Sequence, residues 1–194
     1  MFPNGDVAVL GTYFQNASLG KNSQKLWMTL SKDGGATFTA PRLVLDMQSL
    51  PVPGLRTGDT VPSFAVAPDG TLYATWQDIR FSNGKRSDVL VSSSSDEGQT
   101  WSMPVKANDT PAGAEDAFTP AVAVDSSGRV GILYYDLRDD TFDQAAAAPA
   151  GGFFLGDYQA LDTTGTTFQP FFVAALVNQA GGSLGTDTFT TRVG

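Results

Sequence analysis

The sequence predicts an all-β fold, a partial β-propeller of about three to four blades of antiparallel sheet. Three observations predict it. Strand-length runs of β-branched and aromatic residues alternate with clusters of Gly, Pro, Asn, Asp and Ser. The stretch VPSFAVAPDGTLYATWQDIR (61–80) recurs without a gap as TPAVAVDSSGRVGILYYDLR (119–138). A short turn motif, SKDGGATF (31–38) and SSDEGQTW (94–101), occurs twice at one place in that repeat.

The strand runs are DVAVLGTYF (6–14), KLWMTLS (25–31), SFAVA (63–67), TLYATWQ (71–77), DVLVSSS (88–94), AVAV (121–124), RVGILYYDL (129–137) and FQPFFVAALV (168–177). The 21 glycines and 11 prolines bound them, as turn residues do. No segment carries a sustained helical period with caps. The Ala run at 145–148, closed by Pro149 and two glycines, reads as loop or a single turn.

The repeat sets the architecture. Pro62 aligns with Pro120, Gly70 with Gly128, Trp76 with Tyr134, Asp78 with Asp136 and Arg80 with Arg138. NGDVAVLGTYF aligns with the second half of the unit, Gly5 taking the place of Gly70, and LDTTGTTFQPFFVAALV (161–177) is a weaker fourth copy. Asp33 follows Gly5 by 28 residues and Asp96 follows Gly70 by 26. Each unit is therefore strand, tight turn, strand, loop, strand, motif, strand, which is a propeller blade. The expected division is a blade lacking its first strand over 1–50, a full blade over 57–110, a blade lacking its outer strands over 116–150 and a partial blade over 153–194. The opening MFPNGDVAVLG has neither a basic n-region nor an adequate apolar h-region, and reads as the middle of a fold.

Composition narrows the chemistry. Hydrophobic residues make up 41% of the 194, enough for a core, and charged residues 16%. The net charge of −8 argues against binding a nucleic-acid backbone, which needs clustered Lys and Arg, and against docking on anionic membranes. No apolar run reaches the roughly 18 residues that span a bilayer. There is no Cys and no His. That removes disulfides, thiolate nucleophiles, His-based acid–base work and most zinc sites. Neither turn motif has the acidic series of a calcium loop, so no metal and no cofactor is expected.

The pattern Ser-x-Asp-x-Gly-x-Thr-aromatic is the Asp-box. In Ser31, Asp33, Gly35, Thr37 and Phe38, and again in Ser94, Asp96, Gly98, Thr100 and Trp101, the chain resembles the sialidase-like β-propellers that carry it. RTGDTVPS (56–63), WQDIRFS (76–82), YYDLRDD (134–140) and FFLGDYQAL (153–161) are similar to segments of secreted bacterial members. The resemblance implies a box on the outer rim, away from the active face. There the Asp accepts turn N–H groups, Gly takes a positive φ and the aromatic packs between sheets. It also implies an extracellular or periplasmic location.

Sialidases grip the sugar carboxylate with arginines, whose planar fork suits it, and use a Tyr nucleophile activated by a Glu. Carried onto this sequence, the resemblance implies Arg56, Arg80 and Arg138 as substrate-binding, with Asp78, Asp136 and Tyr135 beside them. It implies Tyr158, with Glu115 and Asp157, as the catalytic group. Each has a plainer reading. Asp78–Arg80 and Asp136–Arg138 sit two apart, on one face if the strand continues, and such pairs also tie neighbouring blades together. Tyr158 could equally be a buried Tyr hydrogen-bonded by Asp157. Trp76 and Tyr134 suit core packing, and Phe154 a sugar face. Function is thus a sialidase-like glycoside hydrolase acting on glycans, or a non-catalytic glycan-binding or assembly module, or a degenerate propeller fragment. An open arc of blades leaves exposed faces and edges, and a homodimer completing a ring is one way to cover them.

Overall fold

Strands form where the β-branched and aromatic runs lie, and every sheet pairs strands adjacent in sequence, all antiparallel. The computed structural model describes residues 1–14, 23–52, 61–110, 115–137, 148–149, 153–154, 159–176 and 185–190. The first sheet has the order β1 (Val7–Phe14), β2 (Ser23–Ser31), β3 (Arg42–Gln48). The second is β4 (Ser63–Val66), β5 (Leu72–Asp78), β6 (Asp88–Ser94), β7 (Val105–Lys106). The third pairs β8 (Ala117–Val124) with β9 (Val130–Asp136), and the short β10 (Ala148–Pro149) pairs with β11 (Phe153–Phe154). The last has β12 (Ala160–Thr164), β13 (Thr167–Leu176) and β14 (Gly185–Thr190). One helical turn, of 3-10 type, occurs among the described residues, at Arg80–Ser82. The fold is all-β, a series of small antiparallel sheets, as the sequence predicts.

The main core lies between the first two sheets. Leu26 and Met47 of the first meet Ala74, Trp76 and Leu90 of the second, all buried. Phe2, Met28 and Leu72 form an adjoining cluster. Period 2 explains the choice: Leu26 and Met28 share one face of β2, Leu72, Ala74 and Trp76 one face of β5. The second and third sheets are joined by Val122 N donating to Ser63 Oγ (3.1 Å) and Ala117 N to the Ser87 carbonyl (2.8 Å). The third and fourth meet where the Phe168 ring covers Gly131 and lies under the Arg129 guanidinium, 5.9 Å away.

The repeat is visible in the hairpin turns. In the first unit Phe2 N donates to the Asp6 carbonyl (2.8 Å) and Gly5 N to the Phe2 carbonyl (3.0 Å). The same two bonds recur from Ala67 N to Thr71 and from Gly70 N to Ala67, and from Asp125 N to Arg129 and from Gly128 N to Asp125, at 2.8–3.0 Å. Gly5, Gly70 and Gly128 take φ of +90°, +87° and +85°, which glycine adopts without strain. Met1–Pro3, Val66–Pro68 and Val124–Ser126 are repeat-equivalent, and with Thr163 and Gly165 they line one open depression of about 340 Å³.

The two motif glycines differ in setting. A Cβ on Gly35 (φ +97°) would meet nothing, whereas one on Gly98 (φ +77°) would come 2.5 Å from Sδ of fully buried Met28. In equilibrium urea unfolding, Gly35→Ala should cost about 1–2 kcal/mol, the left-handed penalty alone. Gly98→Ala adds overpacking and should cost roughly 3 kcal/mol. Equal costs for the two would contradict the packing described.

Candidate functional site

The repeated motif builds the same turn twice. In the first, Ser31 Oγ donates to Asp33 Oδ1 (2.7 Å) and accepts from Gly35 N (2.8 Å). Thr37 N donates to Asp33 Oδ1 (2.8 Å) and Thr37 Oγ1 to Asp33 Oδ2 (2.6 Å). In the second, Ser94 Oγ donates to Asp96 Oδ1 (2.8 Å) and accepts from Gly98 N (2.8 Å), while Thr100 N and Oγ1 donate to Asp96 at 2.8 and 2.6 Å. The Thr hydroxyls, then the Thr amides and the Ser hydroxyls, hold both carboxyls down at about 2. Lys32 Nζ joins the two turns, donating to Asp6 Oδ2 (2.6 Å) and Glu97 Oε2 (2.5 Å). These contacts raise Lys32 and, with Asn4, lower Asp6.

The motif aromatics part company. Trp101 packs against both core clusters between the first two sheets. Phe38 is 45% exposed, which corrects the expectation that both rings pack between sheets. The reason is position: Trp101 has the first sheet beside it, and among the described residues no sheet stands in that place for Phe38.

A second group of charges gathers at the opposite end of the sheets. β5 begins opposite Ser94 and ends with Asp78 opposite Asp88. β8 begins there too, Ala117 pairing Asp136. Asp78, Asp88 and Asp116 are buried at this end, and Glu115 is half-buried beside Asp116. Asp78 Oδ2 accepts from Trp76 Nε1 (2.8 Å), Gln48 N (2.9 Å) and an Arg80 NH2 group (2.7 Å); Oδ1 accepts from Arg80 N (2.9 Å) and Nε (2.8 Å). Five donors fill its acceptor capacity. Arg80 also donates to the Asp46 carbonyl (2.6 Å). Asp78 and Arg80 do not share a strand face. The strand stops at Asp78, and the helical turn at Arg80–Ser82 folds the guanidinium back onto the carboxylate. With Gln48 and Asp46 on β3, the pair ties the second sheet to the first.

The tie between the second and third sheets is made by other residues. Arg86 donates to Asp116 Oδ2 (2.8 Å) and Ser87 N to Oδ1 (2.7 Å). Within the second sheet, Asp88 Oδ1 accepts from Lys106 Nζ (2.8 Å) and Asn108 Nδ2 (3.1 Å). Neither group was legible in the sequence, because Arg86 and Lys106 stand among ordinary loop charges and lie outside the aligned repeat. The alignment equates Asp136 with Asp78, and Asp136 Oδ2 lies 3.5 Å from Thr110 Oγ1. Tyr135 stacks on buried Phe118, centroids 5.8 Å apart. Thr119 in the same strand takes φ +49° at a break in register, an uncommon state for a β-branched residue.

Of the predicted site residues, Asp78, Arg80, Glu115, Tyr135 and Asp136 lie at this end of the sheets. Arg56, Arg138, Asp157 and Tyr158 lie outside the described residues. Among the described residues no cluster of three or more carboxylates is arranged to hold a metal ion, and no helix is long and apolar enough to cross a membrane.

No protein-family model matches the chain, and no curated protein matches it. Several solved structures are similar. One is a Hadza microbial sialidase, Hz136, at 14% identity and a TM-score of 0.48, covering 97% of this chain and 42% of that one. A protein of unknown function from Dyadobacter fermentans DSM 18053 has 15% identity and a TM-score of 0.49, covering 97% and 50%. The intramolecular trans-sialidase from Ruminococcus gnavus has 11% identity and a TM-score of 0.27, covering 87% and 41%. The chain thus spans half or less of the length of these proteins.

Asp78→Ala should cost about 3 kcal/mol or more, since it leaves the guanidinium and the indole N–H without their acceptor; thermal and urea unfolding measure it. The turn carboxyls give a pH dependence. They titrate at about 2 folded against about 3.9 unfolded, so their stabilisation is present above about pH 4 and lost as pH falls towards 2. Replacing Thr37 and Thr100 together by Val should make that fall shallower in urea unfolding repeated across the range. An unchanged slope would assign the acid sensitivity to other groups.

Proposed function

We propose that the chain is a sialidase-like glycoside hydrolase segment that acts on glycans at the end of the sheets opposite the two Ser-Asp-Gly-Thr turns. The observation that supports this reading is the gathering of buried and half-buried Asp78, Arg80, Asp88, Glu115 and Asp116 at that end, on the opposite side of the sheets from the motif turns. Tyr158 serves as nucleophile with Glu115 and Asp157, and Arg56 and Arg138 grip the sugar carboxylate bidentately. Arg80 belongs to the framework instead, because its Nε and one NH2 group are held by Asp78 and the Asp46 carbonyl. The division into blades over 1–50, 57–110, 116–150 and 153–194, and an extracellular or periplasmic location, belong to the same proposal.

That engagement of Asp78 and Arg80 also favours a second reading, a non-catalytic glycan-binding module that keeps the sialidase-like framework without its chemistry. Hydrolysis of a fluorogenic sialoside by the full chain separates the two. The hydrolase reading expects turnover that falls by roughly 100-fold or more in Tyr158→Phe and Arg138→Ala, in proteins with unchanged circular dichroism. A well-folded chain that binds sialosides in calorimetry without turnover selects the second reading, and neither binding nor turnover removes both.

A further inference from the structure

The connection from β5 to β6 stands at the end of the sheets opposite the motif turns, and its own hydrogen bonds make it a fixed platform. Ser82 Oγ accepts from Lys85 N (3.2 Å) and Arg86 N (3.0 Å) and donates to the Ile79 carbonyl (2.9 Å). Ser82 N and Gly84 N donate to that same carbonyl at 3.2 and 3.1 Å. Asn83 and Gly84 take φ of +54° and +79°, in the region that Asn and Gly enter most readily. Both flanks are tied down, Arg80 to buried Asp78 and Arg86 to buried Asp116.

This connection shows cations and one aromatic ring to solvent. RFSNGKR (80–86) holds three of the chain's 12 Lys and Arg residues and no acid, in a protein of net charge −8. Buried carboxylates offset Arg80 and Arg86. Lys85 is exposed and, among the described residues, has no carboxylate partner. Arg86 gives only NH1 to Asp116, and its side chain is 37% exposed. Phe81 is 44% exposed, and the Asn83 amide beside it is exposed as well. An ammonium with an open guanidinium edge suits a carboxylate, a ring suits the apolar face of a sugar, and a side-chain amide suits its hydroxyls. On a protein that is otherwise acidic, such a patch draws anionic ligands locally.

We infer that the 80–86 turn binds an acidic sugar unit of a glycan. Lys85 and the open side of Arg86 take its carboxylate, and Phe81 takes its ring face. The inference rests on the glycan reading proposed above and narrows the substrate class: the glycan carries an acidic unit here in addition to the one assigned to Arg56 and Arg138.

The test titrates the full chain into a fluorescently labelled galacturonic acid hexasaccharide and reads anisotropy. Saturable binding that weakens as salt rises is expected. Phe81→Ala and Lys85→Ala, both at exposed positions, should each weaken it by roughly fivefold or more, and Phe81→Trp should retain it. Arg86→Lys keeps a cation for Asp116 while removing the fork, and should weaken binding likewise. The methyl-esterified hexasaccharide, with the same rings and no charge, should bind far less well. No saturable binding, or binding that the Phe81 and Lys85 variants leave unchanged, overturns the site. Equal binding of a hexaglutamate peptide overturns the sugar assignment. Hexasaccharide binding without sialoside turnover keeps this site and removes the hydrolase reading, and turnover without hexasaccharide binding does the reverse.

Discussion

The buried carboxylate of Asp78 is the interaction on which the arrangement of the sheets depends. It has no exposed surface, and it accepts from the indole of Trp76, the backbone of Gln48 and three nitrogens of Arg80. Burying a carboxylate is costly unless charge and hydrogen bonds compensate. The compensation comes from residues on two sheets, so the carboxylate is satisfied only when those sheets are stacked. Trp76 does both tasks, filling the core with its ring and steadying Asp78 with its N–H. Hydrophobic burial provides the attraction between the sheets and is non-directional; the Asp78 network sets their relative position.

A similar logic acts at the next junction with different residues. Arg86 and Asp116 join the second and third sheets, while Arg129 and Phe168 join the third and fourth. Each unit buries one sheet face against its neighbour, as repeat architectures must. Residues of the hairpin turns line one depression, and the Asp78–Arg80 and Asp116–Arg86 pairs lie at the other end. This polarity separates the two kinds of loop. The motif turns close chiefly on their own Ser, Asp and Thr side chains.

For the chemistry, the division of labour among arginines matters most. An arginine whose fork already embraces a carboxylate holds the framework together, and one free of such a partner can grip a substrate acid. Arg80 is of the first kind. Arg138 aligns with Arg80 but lies outside the described residues.

The sequence by itself determined the all-β class, most strand positions and the internal bonding of the two motif turns. These rest on local physics: period-2 patterning, turn residues, and side chains that reach only their own backbone. β3 and β7 were legible only as the strands that must follow each motif. Tertiary structure alone decided that Gly98 presses on Met28 while Gly35 is free, and that Trp101 is packed while Phe38 is exposed. It also decided that Arg86 pairs with Asp116, and that Asp78 and Arg80 meet through a turn rather than along a strand. Each of these depends on which sheet lies beside which: among the described residues, the second motif has a companion sheet on that side and the first has none.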